Sequence, residues 1–340
     1  MKSMSTRNVV VIVLAIILAA SICAVVIAQV SQNDSDVIML RMAHGKAEDS
    51  IVSRSVALLE DILHNEPSIG LEAQIYPSGV LGGERDYIEL VKAGILDMAK
   101  VSSNALGSFN DYYSVFALPY LFVDTEHSYR AMDESEAVRE IFMSNYDDGF
   151  LAIGWYASGS RNVYTKEEGP ATPEMMRGKK FRVQNSATSM RMIELMGGSP
   201  VPMGAGETYT SLQSNIIDGA ENTELALTVD RHGELVKSYS YTEHLYSPDI
   251  FIISVETWER MSKEQQDFLV RTLSSLNENY QGMYDDMIAE AVAEAEEMGV
   301  VFYYDIDKEP FIESVQPMHQ EFKDKGEDFA RIYENIQSYR

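Results

Sequence analysis

From Val37 onward, short apolar runs alternate with longer segments whose apolar residues recur at helical spacing. Val37–Ala43, Leu71–Tyr76 and Leu96–Val101 read as strands, the second closed by the turn residues Pro77-Ser78-Gly79. Between them, Ser50–Leu63 places Ile51, Val56, Leu58, Leu59, Ile62 and Leu63 on one helical face, and Glu84–Ala93 is helical too. Further strands are expected at Phe150–Tyr156, Lys180–Val183, Ser199–Met203 and Tyr246–Val255, with helices around Ala187–Met196, Glu207–Ser214 and Thr223–Val236. Strands alternating with helices predict α/β domains with largely parallel sheets. Met261–Met298 holds no Pro and only Gly282, which allows one long helix or two in tandem. Such a helix is longer than a small domain is wide and is able to bridge two.

The N-terminus follows a different pattern. Lys2 and Arg7 precede an unbroken apolar or small run from Val9 to Ala28, and polar residues follow to Asp34. Residues 1–34 therefore read as a secretory signal, with small residues near Ala28 for cleavage. The run is also close to the ~20 residues that span a bilayer, so a retained single-helix anchor fits as well. Either reading places the remainder outside the cytoplasm. The single cysteine, Cys23, lies inside this run, so the exported part carries no disulfide and needs a real core. At 340 residues, with roughly 150 per domain, the chain has length for about two domains. Its 53 acidic against 27 basic residues give a net charge of −26, which argues against binding nucleic acid or anionic lipid.

Catalytic and cofactor signatures are missing from the sequence. The six histidines are scattered singly, with no zinc spacing, and no phosphate-binding glycine loop or nucleophile elbow is present. The carboxylates single out no glycosidase pair. No cofactor or metal is expected, and an enzyme reading is unsupported. Two arginines are unusual in their settings. Arg182 lies inside the strand Lys180–Val183, pointing opposite to Phe181 and Val183. Arg161 lies at a turn leading into another short strand. A guanidinium grips a carboxylate through two parallel hydrogen bonds, and that carboxylate is either one of the chain's own or a ligand's. Asn222 follows the strand-like Ile216-Ile217 and opens a helix, either as a plain N-cap or as an amide donor to a bound anion.

These segments in this order resemble the extracytoplasmic solute-binding subunits of tripartite ATP-independent periplasmic (TRAP) transporters. The resemblance runs from about Leu40 to Met261, with a weaker helical tail. It rests on Ala43-His44-Gly45, IYPSGVLGGERDYIELVKAGILDMA from Ile75 to Ala99, and FALPYLF from Phe116 to Phe122. GSRNVYT from Gly159, GKKFRVQ from Gly178 and ETYTSLQSNIIDGAEN from Glu207 complete it. It implies a two-lobed α/β fold of the type II periplasmic-binding-protein kind, with a long helix bridging the lobes. One lobe is expected at 37–158 plus 248–287, the other at 159–247 plus 288–340. It further implies that Arg182 clamps a ligand carboxylate, that Asn222 assists it, and that Arg161 is a second positive contact. Glu84 would reach hydroxyl or amino groups, with His44 and Ser102 lining the cleft. SGSRNVYT, DGAEN and Thr242-Glu243-His244 look like the sugar-acid branch, especially uronate binders. Thr223 and Ala205 depart from that pattern, and Ala205 leaves extra room. The implied partners are a small organic acid and two membrane permease subunits, engaged by a monomer. Two other roles share these residues: a membrane-tethered sensor, and a lyase acting on sugar acids.

Overall fold

The computed structural model describes residues 37–340; the expected export segment and Cys23 lie outside the described residues. Two mixed sheets organise the chain. The first has the order β2-β1-β3-β10-β4 and the second β11-β9-β5-β8-β6-β7. In chain order the strands are β1 Ile38–His44, β2 Leu71–Tyr76, β3 Met98–Ser102, β4 Phe150–Tyr156, β5 Ser160–Thr165 and β6 Lys180–Val183. They continue with β7 Ser199–Pro202, β8 Gly219–Asn222, β9 Ser238–Tyr246, β10 Asp249–Ser254 and β11 Val301–Tyr303. Helices Ile51–His64 and Glu84–Lys92 connect the first three strands, as their apolar spacing predicts. Ser50 caps the first by accepting the Ser53 N–H.

The sheets are less parallel than the alternation predicts. β5 runs antiparallel to both β8 and β9, and β10 runs antiparallel to both β3 and β4. Both strands enter their sheets directly from the other lobe, so they arrive from the cleft side and run against their neighbours. β4 passes to β5 through Ala157-Ser158-Gly159, and β9 passes to β10 through Ser247-Pro248. The predicted strand Tyr246–Val255 is in fact the junction of two strands, β9 and β10. The predicted helix Thr223–Val236 is reduced to single turns at Leu225–Thr228 and His232–Glu234.

Met261–Met298 resolves into one 35-residue helix, Lys263–Glu297. At 1.5 Å per residue it is about 52 Å long, enough to cross both lobes. Its first half buries Leu269, Leu273, Leu276 and Tyr280, with Tyr280 packed on Tyr156 of β4. Its far end places Ala295 in the core of the second sheet with Tyr164, Leu212 and Tyr239. The same helix braces the first crossing: Asn277 Oδ1 accepts the Ala157 N–H at 2.9 Å. Gly159 has φ +68°, and a Cβ there would stand 1.7 Å from the Tyr284 hydroxyl, so only glycine fits. At the C-terminus, helix Glu327–Gln337 packs on the first lobe. Asn335 Oδ1 accepts from the Ser135 hydroxyl at 2.7 Å, and Gln337 donates to the Leu121 carbonyl at 2.6 Å. Among the described residues no helix is long and apolar enough to cross a membrane.

Candidate functional site

Arg161 on β5 and Arg182 on β6 flank β8 in the second sheet. Both are buried, at 8% and 5% exposure, but their surroundings differ. Arg161 donates from Nε to Glu221 Oε2 at 2.5 Å, and from Nη2 to Glu221 Oε1 at 2.9 Å and the Glu221 carbonyl at 2.7 Å. Burial works against both charges. Glu221 nevertheless outweighs it to raise the Arg161 pKa, while Arg161 and His244 bring the Glu221 carboxyl down to about 2. His244 Nε2 lies 3.5 Å from Glu221 Oε2, and its Nδ1 hydrogen-bonds Thr242 Oγ1 at 2.8 Å.

Arg182 has no carboxylate partner among the described residues. Its Nε and Nη2 donate to the Met203 carbonyl at 3.2 and 3.0 Å. Burial, then the neighbouring Arg161 charge, hold its pKa below the usual arginine value. Glu221, Tyr164 and Glu84 oppose that lowering, and Glu84 does so from the other lobe.

Asn222 ends β8, and Glu224 precedes the short helical turn, so Asn222 is not the N-cap. Its Oδ1 accepts from Arg161 Nη1 at 3.0 Å and from the Thr223 N–H at 2.9 Å. Those two bonds fix the amide orientation and leave its NH₂ as a donor. The first lobe supplies the other expected residues. Glu84 opens helix Glu84–Lys92 and accepts both the Ser102 N–H and the Ser102 hydroxyl, at 2.8 and 2.7 Å. Ser102, ending β3, also caps the short helix Ser103–Leu106 by accepting the Ala105 N–H. His44 ends β1, and its Nδ1 accepts the Lys46 N–H at 3.2 Å. Burial, then Lys100 and Lys46, push its pKa down to about 4.

All six expected residues thus stand at strand ends or a helix start, three on each lobe. Others were not foreseen. Glu221 neutralises Arg161, and the one signal for it was an acidic residue inside the buried strand Gly-Ala-Glu-Asn. Lys100 of β3 pairs with Asp249 of β10, 149 residues away, and its only mark was a lone charge between apolar neighbours. Asn104 donates across the lobes to Gln184 and at 3.3 Å to Ser247 Oγ. A separate groove of about 210 Å³, lined by Ser114, Leu118, Thr188, Arg191 and Met318 among others, contains none of these side chains. Among the described residues no group of three or more His, Cys, Asp or Glu side chains is arranged to hold a metal ion.

Chemically, the second lobe offers a buried cation without a counter-ion and an amide oriented by Arg161, and the first lobe offers hydroxyl, imidazole and carboxylate groups. That set suits an organic anion bearing further polar groups. Comparison with known proteins agrees. The family described as bacterial extracellular solute-binding protein, family 7, matches residues 42–325. The uncharacterized protein YiiZ of Salmonella typhimurium is 38% identical over 300 residues, 88% of this chain and 91% of that protein. A TRAP periplasmic solute-binding protein of Anaerococcus prevotii, solved with bound α/β-D-glucuronate, has a TM-score of 0.84 and 37% identity, covering 88% of this chain and 97% of that one. A TRAP periplasmic solute-binding protein of Xanthobacter autotrophicus, solved with bound β-D-galacturonate, has a TM-score of 0.82 and 30% identity, covering 88% of this chain and all of that one. With its fold and five-sixths of its length matched, the chain belongs to family 7 of the bacterial extracellular solute-binding proteins, the binding subunits of TRAP transporters.

Proposed function

We propose that this protein captures a hexuronate or closely related sugar acid outside the cytoplasm by closing two lobes on it, and delivers the unchanged acid to TRAP permease subunits. The observation that carries this reading is Arg182: a guanidinium at 5% exposure with only the Met203 carbonyl as acceptor. A charge held out of water without a counter-ion is costly, and a ligand carboxylate relieves that cost. The uronates bound to the similar solved proteins support the choice of acid.

In this reading Arg182 grips the carboxylate and the Asn222 amide donates beside it. Arg161 acts at one remove, by holding the Asn222 oxygen and so turning its NH₂ toward the ligand. Glu84, Ser102 and His44 meet hydroxyl groups from the first lobe. The lobes are 37–158 with 248–287, and 159–247 with 288–340, the last helix reaching back onto the first lobe. Only a ligand that satisfies both walls favours the closed form, which supplies the differential affinity a switch needs. No bond is made or broken in this cycle, and the protein acts as a monomer.

A thermal-shift panel of hexuronates, aldonates and dicarboxylates tests the assignment. A hexuronate present at 100 times its dissociation constant should add about 2.7 kcal/mol of stability. Stabilisation by dicarboxylates alone would overturn the choice of ligand, and turnover of a uronate would overturn the carrier role.

A further inference from the structure

The two sheets are joined by more than the chain crossings between them. Those crossings, Ala157-Ser158-Gly159 and Ser247-Pro248, are tied together by the Ser158 hydroxyl, which donates to the Ser247 carbonyl. Just ahead of the second crossing lies a contact with no covalent link. Tyr120, in the connection from β3 to β4 of the first sheet, donates its N–H to the His244 carbonyl at 2.8 Å. Its hydroxyl donates to the Thr242 carbonyl at 3.1 Å. Both acceptors belong to β9 of the second sheet, and they flank Glu243.

Tyr120 and Glu243 both hold the left-handed backbone conformation, at φ +57° and +43°, that residues with a Cβ rarely adopt. Such conformations cost free energy and persist only where the surroundings hold them. Here β9 bulges. Arg161 pairs with Leu245 but Val163 pairs with Ser240, so five steps along β9 oppose two along β5. The Glu243 N–H leaves the ladder for Asn162 Oδ1 at 2.7 Å, and the Glu243 carboxylate pairs with Lys308. From Lys308 the contacts close into a ring. Lys308 directly precedes helix Glu309–Lys323, and on that helix the buried His319 places Nε2 2.8 Å from the Pro119 carbonyl. Pro119-Tyr120 is thus held by the bulge on one side and by the C-terminal helices on the other.

We propose that Tyr120 is the pivot of lobe closure, a positioning residue that stays bonded to the Thr242–His244 bulge while the lobes open and shut around it. The pivot rests on the reading that the lobes close on an acid. Points near a hinge move least, and Tyr120 bonds where the chain itself crosses between lobes. Such a pin limits how far the ligand-free lobes splay, so fewer open arrangements compete with the closed one. It also holds the backbone of His244, whose ring faces Glu221, and so fixes the Arg161 wall against the first lobe.

Amide hydrogen exchange tests whether the contact is permanent. The Tyr120 and Glu243 N–H groups should exchange equally slowly with and without D-glucuronate. Protection of Tyr120 that appears only with D-glucuronate would make it a latch of the closed form and overturn the pivot. Tyr120→Phe keeps the N–H bond and loses the hydroxyl bond. Tyr120→Asn tolerates the left-handed backbone but is too short to replace the hydroxyl; should it fail to fold, Tyr120→Phe carries the test. Small-angle scattering should give each variant a larger ligand-free radius of gyration than the wild type, and the wild-type radius once D-glucuronate is bound. Calorimetry should show affinity lowered by about threefold or more, with the loss in the association rate by stopped-flow. A merely structural residue would lower the melting temperature and leave the ligand-free radius alone. Variants with wild-type radii and affinity would overturn the pivot. Wild-type protein that binds D-glucuronate without contracting would instead sink the reading that the lobes close.

Discussion

The two guanidiniums on the second sheet are equally buried, yet their chemistry is opposite. Arg161 has four of its five N–H groups engaged: Glu221 takes two through the carboxylate and one through the backbone, and Asn222 takes a fourth. Arg182 has one backbone carbonyl. The first is an ion pair that also holds the Asn222 amide oxygen, and the second has no counter-ion among the described residues. Burial of an arginine thus says little by itself. What separates the two roles is whether the chain supplies the counter-ion.

The largest way to break this contrast is to remove the counter-ion that is present. Glu221→Gln strands the Arg161 charge in the core and should destabilise the protein by about 3–5 kcal/mol, read by urea unfolding. Arg182→Ala should behave in the reverse sense. It removes a charge that lacks a partner, so the ligand-free protein should melt no lower than the wild type. Its uronate affinity should drop by roughly 30- to 4,000-fold, the result of losing 2–5 kcal/mol from a buried charge pair. Arg182→Lys should also bind poorly, since a point charge cannot reproduce the planar fork. A cold Glu221→Gln and a badly destabilised Arg182→Ala would show that the two sites had been assigned the wrong way round.

That contrast was only half legible in the sequence. Arg182 stood out as a charge flanked by Phe181 and Val183 in a short strand, and strand alternation gave its direction. The partner of Arg161 did not, because the pairing depends on β5 lying against β8, a contact across 60 residues. Strand β9 was missed for a related reason. Ser238–Tyr246 is buried on both faces: Ser238, Ser240, Thr242 and His244 fill one and Tyr239 the other, so no alternation of apolar-in and polar-out marks it. Ile216-Ile217 looked like a strand and is a turn, whereas the true strand begins at Gly219, where small residues let β8 pass close to Tyr164 and Phe181. By contrast, helix over Met261–Met298 was legible because no proline interrupts it, while its being one helix, Lys263–Glu297, and not two in tandem came from the structure. Local periodicity reported the frame; the pairing of buried polar groups needed the tertiary contacts.

Acid sharpens the same comparison, because each arginine has its own titrating neighbour. His232 shares the Arg182 side. Burial lowers its pKa to about 4, with Arg182 adding to the effect and Asp230 opposing it. The unfolded chain binds this proton near pH 6.5 and the folded chain does not until about pH 4, so stability falls as pH drops through that window. His44 on the opposite wall, also near 4, adds to the same window. Each contributes up to about 1.4 kcal/mol per pH unit. Glu221 on the Arg161 side acts lower. Its folded pKa near 2 lies below the ordinary 4.5, so its contribution is complete above pH 4.5 and is lost as pH falls toward 2. Thermal melts against pH should therefore show two successive declines. Arg182→Met should make the upper one shallower and leave the lower one, and an unchanged upper decline would separate His232 from Arg182.

The smallest expected effect tests whether the two walls meet as the contrast requires. Gln184 lies two residues beyond Arg182 and accepts from Asn104 of the first lobe. That bond exists only when the lobes are together. Gln184→Ala should therefore leave the Arg182 charge and the unfolding of the ligand-free protein unchanged, while removing one neutral hydrogen bond from the closed form. One such bond contributes about 1 kcal/mol, which corresponds to roughly fivefold in affinity. The loss should appear in the dissociation rate, because the bond forms after the acid has met Arg182. If affinity and dissociation are unaltered by stopped-flow and calorimetry, the ligand itself holds the lobes closed, and direct contacts between the walls contribute nothing to capture.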